Sequence, residues 1–242
     1  MTSRKCLLLD TTFQGISAAI VTKEIDKEAR FLSASYHFDN NGSAALLPLV
    51  ISGLLKKSQI GLNEIDLFAV SNGPGSFTGI KVGLSYISGL VLGLSKKPKV
   101  LGVSSLKSLS FYEKNGYSDK VWLLPATKTQ GYLAISYRET ADLYMLKLSN
   151  IIELFCVDSG ERISSKILDK RKLMLVLPWV LAEEFFSSAG IYYEVMDYPV
   201  AAARVLSAIA SQLPDDLDRL SSNIPEPRYI RKSTPEENLE KN

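Results

Sequence analysis

Two strings in this 242-residue chain have residue types and spacing that could do chemistry. The first is Asp10-Thr11-Thr12, directly after the apolar run at 5–9. A carboxylate and two hydroxyls on a turn that ends a strand can help hold a metal–nucleotide and approach its phosphates. The same three residues can close a hairpin as an Asx or Thr turn. The second is Gly73-Pro74-Gly75-Ser76-Phe77-Thr78-Gly79, at the expected start of a helix. Glycines let the backbone approach a ligand, and a helix N-terminus offers free N–H groups and a positive dipole end. The string lacks the Gly-Lys-Ser/Thr ending of a Walker loop and is not the dinucleotide fingerprint. Without a ligand it is a tight strand-to-helix turn capped by Ser76. Asp10, Thr11, Thr12, Gly73, Gly75 and Ser76 therefore form the candidate phosphate loop, active or vestigial.

Composition excludes much else. Hydrophobic residues are 46% and charged residues 22%, so the chain can build a core and is not disordered as a whole. Its single histidine, His37, rules out an HExxH zinc site or any His-pair site from this chain alone. No protein-supplied metal ligand set is expected. The two cysteines, Cys6 and Cys156, are far apart, which argues against a disulfide framework and for a reducing compartment. With 28 basic and 26 acidic residues, a broad phosphate-backbone surface is not expected. The pair Glu183-Glu184 and the cluster Lys170-Arg171-Lys172 are best taken as solvated charge. No leader-like segment opens the chain, and the apolar stretch at 80–94 contains Lys81 and is too short to span a bilayer. A cytoplasmic protein without a membrane partner is the expectation.

The elements that must position these strings follow from periodicity and punctuation. Strands are expected at 5–9, 16–21 and 31–38, as antiparallel neighbours. A helix should run from Ser43 to about Lys57, kinked or late-starting because of Pro48. Then come a strand at 65–70, a helix over 76–94, a strand at 100–103 and a short helix at 104–112. The order is βββαβα. The second half repeats it: strands at 121–124, 132–137 and 143–148, one more at 152–157, and a short helix at 164–169. A strand at 173–177, a helix start at 180–186, a strand at 191–195 and a helix at 199–213 complete it. The implied fold is α/β, with two halves at 1–110 and 111–231. A polar tail at 232–242 is expected to be flexible.

Both first-half helices carry more apolar surface than one sheet can cover. On the first, Leu47, Val50, Ile51 and Leu54 form a stripe that Leu46 and Leu49 widen. On the second, Gly79 and Gly83 are four apart, as are Gly89 and Gly93, and Ile87, Leu90 and Leu92 belong to an apolar surface that runs nearly all round. Either the second half encloses these helices or a helical partner does. In the partner reading, the contact set is Leu46, Leu47, Val50, Leu54, Gly79, Gly83, Tyr86, Ile87 and Leu90. Such a chain should pair with itself when alone, and a bulky residue at Gly83 should break that pair.

The run from Ile65 to Gly83, centred on Gly73-Pro74-Gly75-Ser76-Phe77-Thr78-Gly79, resembles the signature of the TsaB (YeaZ) family. Asp10-Thr11-Thr12, Leu46-Leu47-Pro48, Gly102-Val103-Ser104-Ser105-Leu106 and the ending Pro227-Arg228-Tyr229-Ile230-Arg231 match in the same order. The resemblance is strong over 5–110. It implies an actin-like ATPase (ASKHA) fold with mixed sheets. It further implies a role in forming N6-threonylcarbamoyladenosine at position 37 of tRNAs that read ANN codons. In that family the chain is a non-catalytic paralogue of the transferase TsaD. TsaD docks on its first two helices, the ATPase TsaE joins them, and tRNA is reached only through the complex. No cofactor is expected on the chain alone, with ATP only in the complex. Two departures stand out. Gly42-Ser43 replaces a frequent His-Ser, and Thr127-Lys128-Thr129 stands where family members often carry Asp-x-Arg. The alternative within the same fold is a small-molecule kinase or ATPase.

Overall fold

A computed structural model describes residues 3–13, 15–38, 43–111, 120–137, 140–151, 172–176 and 179–230. The expected strand at 152–157, the helix at 164–169, Cys156, the pair Lys170-Arg171 and the tail at 232–242 lie outside them.

The chain divides into two compact units. Residues 1–108 and 202–229 form the first; 109–201 and 230–242 form the second. The last helix and the stretch after it thus return to the first unit, whereas a cut near 110 would assign everything downstream to the second half.

In the first unit, apolar and β-branched runs give β1 (Arg4–Asp10) and β2 (Gly15–Lys23), buried almost throughout, and the more exposed β3 (Arg30–Phe38). Each pairs antiparallel with the next, as expected. Helix α1 (Ser43–Ser58) follows and runs through Pro48, whose ring faces solvent. A 3-10 turn at Leu62–Glu64, not anticipated from the sequence, leads into β4 (Leu67–Gly73). The Glu64 carboxylate accepts the Gly61 N–H at 2.7 Å there. Helix α2 (Phe77–Gly93), β5 (Lys99–Ser104) and α3 (Ser105–Phe111) complete the βββαβα order. β4 joins β1 and β5 joins β4, both in parallel, so the sheet order is β3-β2-β1-β4-β5.

The second unit repeats this plan. β6 (Lys120–Pro125), β7 (Gln130–Tyr137) and β8 (Thr140–Lys147) pair antiparallel. β9 (Lys172–Val176) lies parallel to β6, and β10 (Tyr193–Met196) parallel to β9. Read from β8, the order β8-β7-β6-β9-β10 matches that of the first sheet. Helix α4 (Val180–Ser188) packs Ala182 and Phe186 on this sheet, and α5 (Tyr198–Ser211) follows in element order, although its residues from Ala202 onward belong to the first unit. Two mixed sheets with one shared strand order make this an α/β protein of the actin-like fold.

Each sheet has one face filled by its own helices. In the first unit Leu7, Leu9, Ile16, Ile20, Phe68 and Val70 meet Leu47, Ile51 and Leu54 of α1 and Ile80, Leu84, Ile87 and Val91 of α2. Burial of side chains this size is worth ~1.5–3 kcal/mol each. Ser33 on β3 adds a polar tie to α1: its hydroxyl donates to Leu54 O at 3.2 Å and lies 2.6 Å from Ser58 Oγ.

Candidate functional site

The two strings meet. β1 and β4 are parallel neighbours, so their C-terminal ends deliver Asp10-Thr11-Thr12 and Asn72-Gly73 side by side. Each close approach is made by a glycine. A Cβ on Gly75 would lie 2.4 Å from Thr12 O, one on Gly79 1.9 Å from Thr11 O, and one on Gly83 2.4 Å from Thr11 Oγ1. Gly73 (φ +113°) precedes Pro74 through a cis peptide bond. Gly75 (φ +154°) completes a path that a side chain would obstruct.

The polar groups here bond to one another. Thr11 Oγ1 donates to Gly79 O at 2.7 Å. Thr12 Oγ1 lies 2.6 Å from Asp10 Oδ1 and 3.1 Å from Ser105 Oγ, and Ser105 Oγ donates to Pro74 O at 3.0 Å. Ser76 N donates to Thr12 O at 2.8 Å. The Ser76 hydroxyl caps α2 by accepting Gly79 N at 3.1 Å, while Ser76 O accepts Ile80 N. All six candidate phosphate-loop residues are therefore gathered, but both threonine hydroxyls and the Ser76 cap face the protein.

One oxygen of Asp10, Ser71 Oγ, Asn72 Oδ1 and Ser104 Oγ are buried exceptions without a partner. Asp10 is the charged one. It is 1% exposed, Thr12 satisfies Oδ1, and Oδ2 has no hydrogen-bond partner. Burial pushes its carboxyl above the usual aspartate range; the Ser71 and Thr12 hydroxyls and the Thr12 and Phe13 amides oppose this. Ser71 acts at a distance, since its Oγ also lacks a partner that meets hydrogen-bond geometry. Among the described residues no group of three or more His, Cys, Asp or Glu could hold a metal ion. A magnesium–nucleotide would find one unpaired carboxylate oxygen, yet the hydroxyls and the glycine space that should meet its phosphates are already used within the chain.

The helix residues divide by direction. Leu47, Val50, Leu54 and Ile87 are buried in the unit's own core, and Gly79 and Gly83 lie against the Asp10-Thr11-Thr12 turn. The stripe that sequence alone assigns to a partner is thus largely claimed by the sheet beneath it. Leu46 is exposed, and Tyr86 and Leu90 are half-buried at the rim. Burial pushes the Tyr86 phenol up. Sequence reasoning placed Leu49 and Leu92 among the apolar positions but not in the contact set; they are 70% and 76% exposed. Beside them Gly53, Gly89 and Gly93 have nothing within 4 Å of where a Cβ would stand. The outward surface of α1 and α2 thus carries Leu46, Leu49 and Leu92 with glycines between, flanked by exposed Lys56, Lys57 and Lys81.

Elsewhere, Thr127-Lys128-Thr129 turns β6 into β7: Thr127 N donates to Gln130 O, and Lys128 O accepts the Trp179 indole N–H at 3.1 Å. Glu183 is not purely solvated, because its carboxylate accepts Trp179 N at 2.9 Å. His37 lies on the edge strand β3, its Nε2 3.0 Å from Ser35 Oγ. Cys6 is buried, its thiol pushed up to about 12. No helix among the described residues is long and apolar enough to cross a membrane.

The family model for TsaD, tRNA N6-adenosine threonylcarbamoyltransferase, matches residues 40–221, well over half of the chain. A TsaB biosynthesis protein of Buchnera aphidicola (subsp. Baizongia pistaciae) is 32% identical over 60% of this chain and 64% of its own length. The chain belongs to the TsaD-related family, on its TsaB (YeaZ) branch. A TsaD-type transferase of Thermosipho melanesiensis is 34% identical over 34% of this chain and 25% of its own length. The alignments thus span from a quarter to just under two thirds of these curated relatives. The solved structure of YeaZ from Pseudomonas aeruginosa superposes with a TM-score of 0.56 at 20% identity, covering 85% of this chain and 90% of that one. At that identity the likeness speaks for the TsaB fold alone.

Proposed function

We propose that this TsaB-type chain is a non-catalytic scaffold in the formation of N6-threonylcarbamoyladenosine at position 37 of ANN-reading tRNAs. One observation carries the reading. The outward surface of α1 and α2 exposes Leu46, Leu49 and Leu92 beside glycines with open space above them, which suits a second helix pair packing at short range. A TsaD-type transferase is the principal partner on this surface, and a second copy of the chain takes its place when the chain is alone. TsaE-type ATPase joins the pair, and tRNA is reached through the complex. The chain binds no cofactor by itself; ATP enters only with the complex. The Thr11, Thr12 and Ser76 hydroxyls, all engaged within the chain, support this over the kinase alternative, because phosphoryl transfer needs donors aimed at the phosphate.

The test is co-elution with the cognate TsaD-type protein, using Gly89→Trp as a block. Gly89 has open space above it, so the substitution should leave the fold intact and abolish the complex. A complex that survives Gly89→Trp and a matching Leu92→Glu change contradicts the docking surface. Magnesium–ATP heat from the isolated chain contradicts the cofactor statement.

A further inference from the structure

The segment at 214–229 follows α5 and lies along the first unit from one end of the sheet to the other. Near its start Asp215 Oδ1 accepts Lys23 Nζ at 2.6 Å, and Asp215 O accepts the Arg4 guanidinium. Lys23 is itself nearly enclosed, its ammonium also bonded to Glu24 O and Lys27 O. Further on, Leu220 O accepts Lys99 Nζ at 2.8 Å and Ser221 O accepts Val100 N at 2.9 Å. Pro225 lies over Gly102, where a Cβ would come within 2.5 Å of the proline Cβ. Next, Glu226 O accepts Asn72 Nδ2 at 2.9 Å, and Arg228 N donates to Asn72 O at 2.7 Å. Last, the Tyr229 ring meets Phe77, the first residue of α2, at 4.6 Å between centroids, and Lys81 Nζ lies 4.1 Å over the same Phe77 ring.

These contacts follow β5, the edge strand of the first sheet among the described strands, and end on the loop that launches α2. Covering an edge with a proline-bearing segment is one way to protect it. That purpose explains Ser221 and Pro225 but not the far end. Glu226, Arg228 and Tyr229 reach past β5 to Asn72, Gly73 and Phe77. There the segment fixes both sides of the turn whose glycines press on Asp10-Thr11-Thr12.

The geometry points to 221–229 as a strap that sets the position of the first turn of α2, and through it the affinity of the α2 surface for its partner. This deepens the docking surface proposed above and rests on it for the partner; the intramolecular coupling does not. Tyr229, Arg228 and Pro225 are positioning residues. Release of the strap should loosen Ser76–Ile80 and weaken docking without touching the outward residues themselves.

Gly102→Val tests it, since β5 accepts a β-branched residue and the new Cβ meets Pro225. That Cβ also comes within 3.1 Å of Asn72 Nδ2, so Tyr229→Ala, which adds nothing against Asn72, decides between the strap and a direct effect on the turn. Tyr229→Ala is a second, milder variant at a 40% exposed residue. Deletion from Lys232 onward keeps the strap and serves as control. Amide hydrogen exchange on the whole chain reads the strap at Arg228 and Val100, and α2 at Ser76, Gly79 and Ile80. Both variants should speed exchange at all of these by about ten-fold or more, as a local opening. They should also weaken the TsaD-type complex by about ten-fold. The control should do neither. A strap that opens while Gly79 and Ile80 keep their protection overturns the coupling. So does a strap that stays shut in both variants, because neither the Gly102 nor the Phe77 contact would then hold it. An unmodified chain that fails to bind a TsaD-type protein removes the partner and leaves the exchange result to decide the strap.

Discussion

Asp10 is a carboxylate the fold buries and only half satisfies. Its pKa is raised, so the folded state holds the proton more tightly than the unfolded chain does. Its contribution to stability is therefore fully present below the ordinary aspartate value and declines as pH rises through the folded value. Asp10→Asn removes the charge and can keep an acceptor toward Thr12. It should stabilise the chain at pH 7 by about 1–3 kcal/mol and do little below pH ~3.5. Thermal melts at the two pH values check this; equal gains at both would show that the charge is not the cost. Asp215 has the opposite sign. The Lys23 ammonium holds its carboxyl low, so that link is present above the usual aspartate range and lost as acid is added.

Elements follow from pattern where pattern serves packing. Apolar and β-branched runs placed β1 to β5 to within about three residues, because the sheet they form is buried against α1 and α2. The partner surface was less legible for the same reason. Leu47, Val50, Leu54 and Ile87 form the strongest stripe, and the strongest stripe goes to the nearest sheet. The outward surface carries the weaker signal of Leu49, Leu92 and scattered glycines. The glycines four apart also have two meanings that sequence does not separate. Gly79 and Gly83 admit the Thr11 turn, while Gly89 and Gly93 face open space. Gly83→Trp, a natural choice for breaking a dimer from sequence alone, should therefore unfold the first unit. Gly79→Ala should cost about 3 kcal/mol, since the contact is backbone and cannot give way. Gly89→Ala should cost nothing from crowding. Chemical denaturation of the three variants gives the order; a tolerated Gly79→Ala would contradict the packing described here.

At the scale of the whole molecule, the repeated strand order was legible as element order, although no sequence repeat links the halves. The return of 202–229 to the first unit was not legible. The helical part at 202–211 is readable as an apolar helix but not as belonging to the first unit. After it the contacts are single hydrogen bonds, a proline over a glycine and the Tyr229–Phe77 ring pair, which leave no periodicity, and residues 227–231 could be matched only as a family ending. The loss of Asp-x-Arg at Thr127–Thr129 was visible, but its structural use was not: a hairpin turn whose Lys128 carbonyl takes an indole N–H. The central claim is that this chain acts by being held against a transferase. Its most direct test is a threonylcarbamoyl transfer assay with the cognate TsaD-type protein, run without the chain, with it, and with Gly89→Trp. Transfer only with the unmodified chain is the predicted result. Equal transfer in all three reactions would contradict the scaffold.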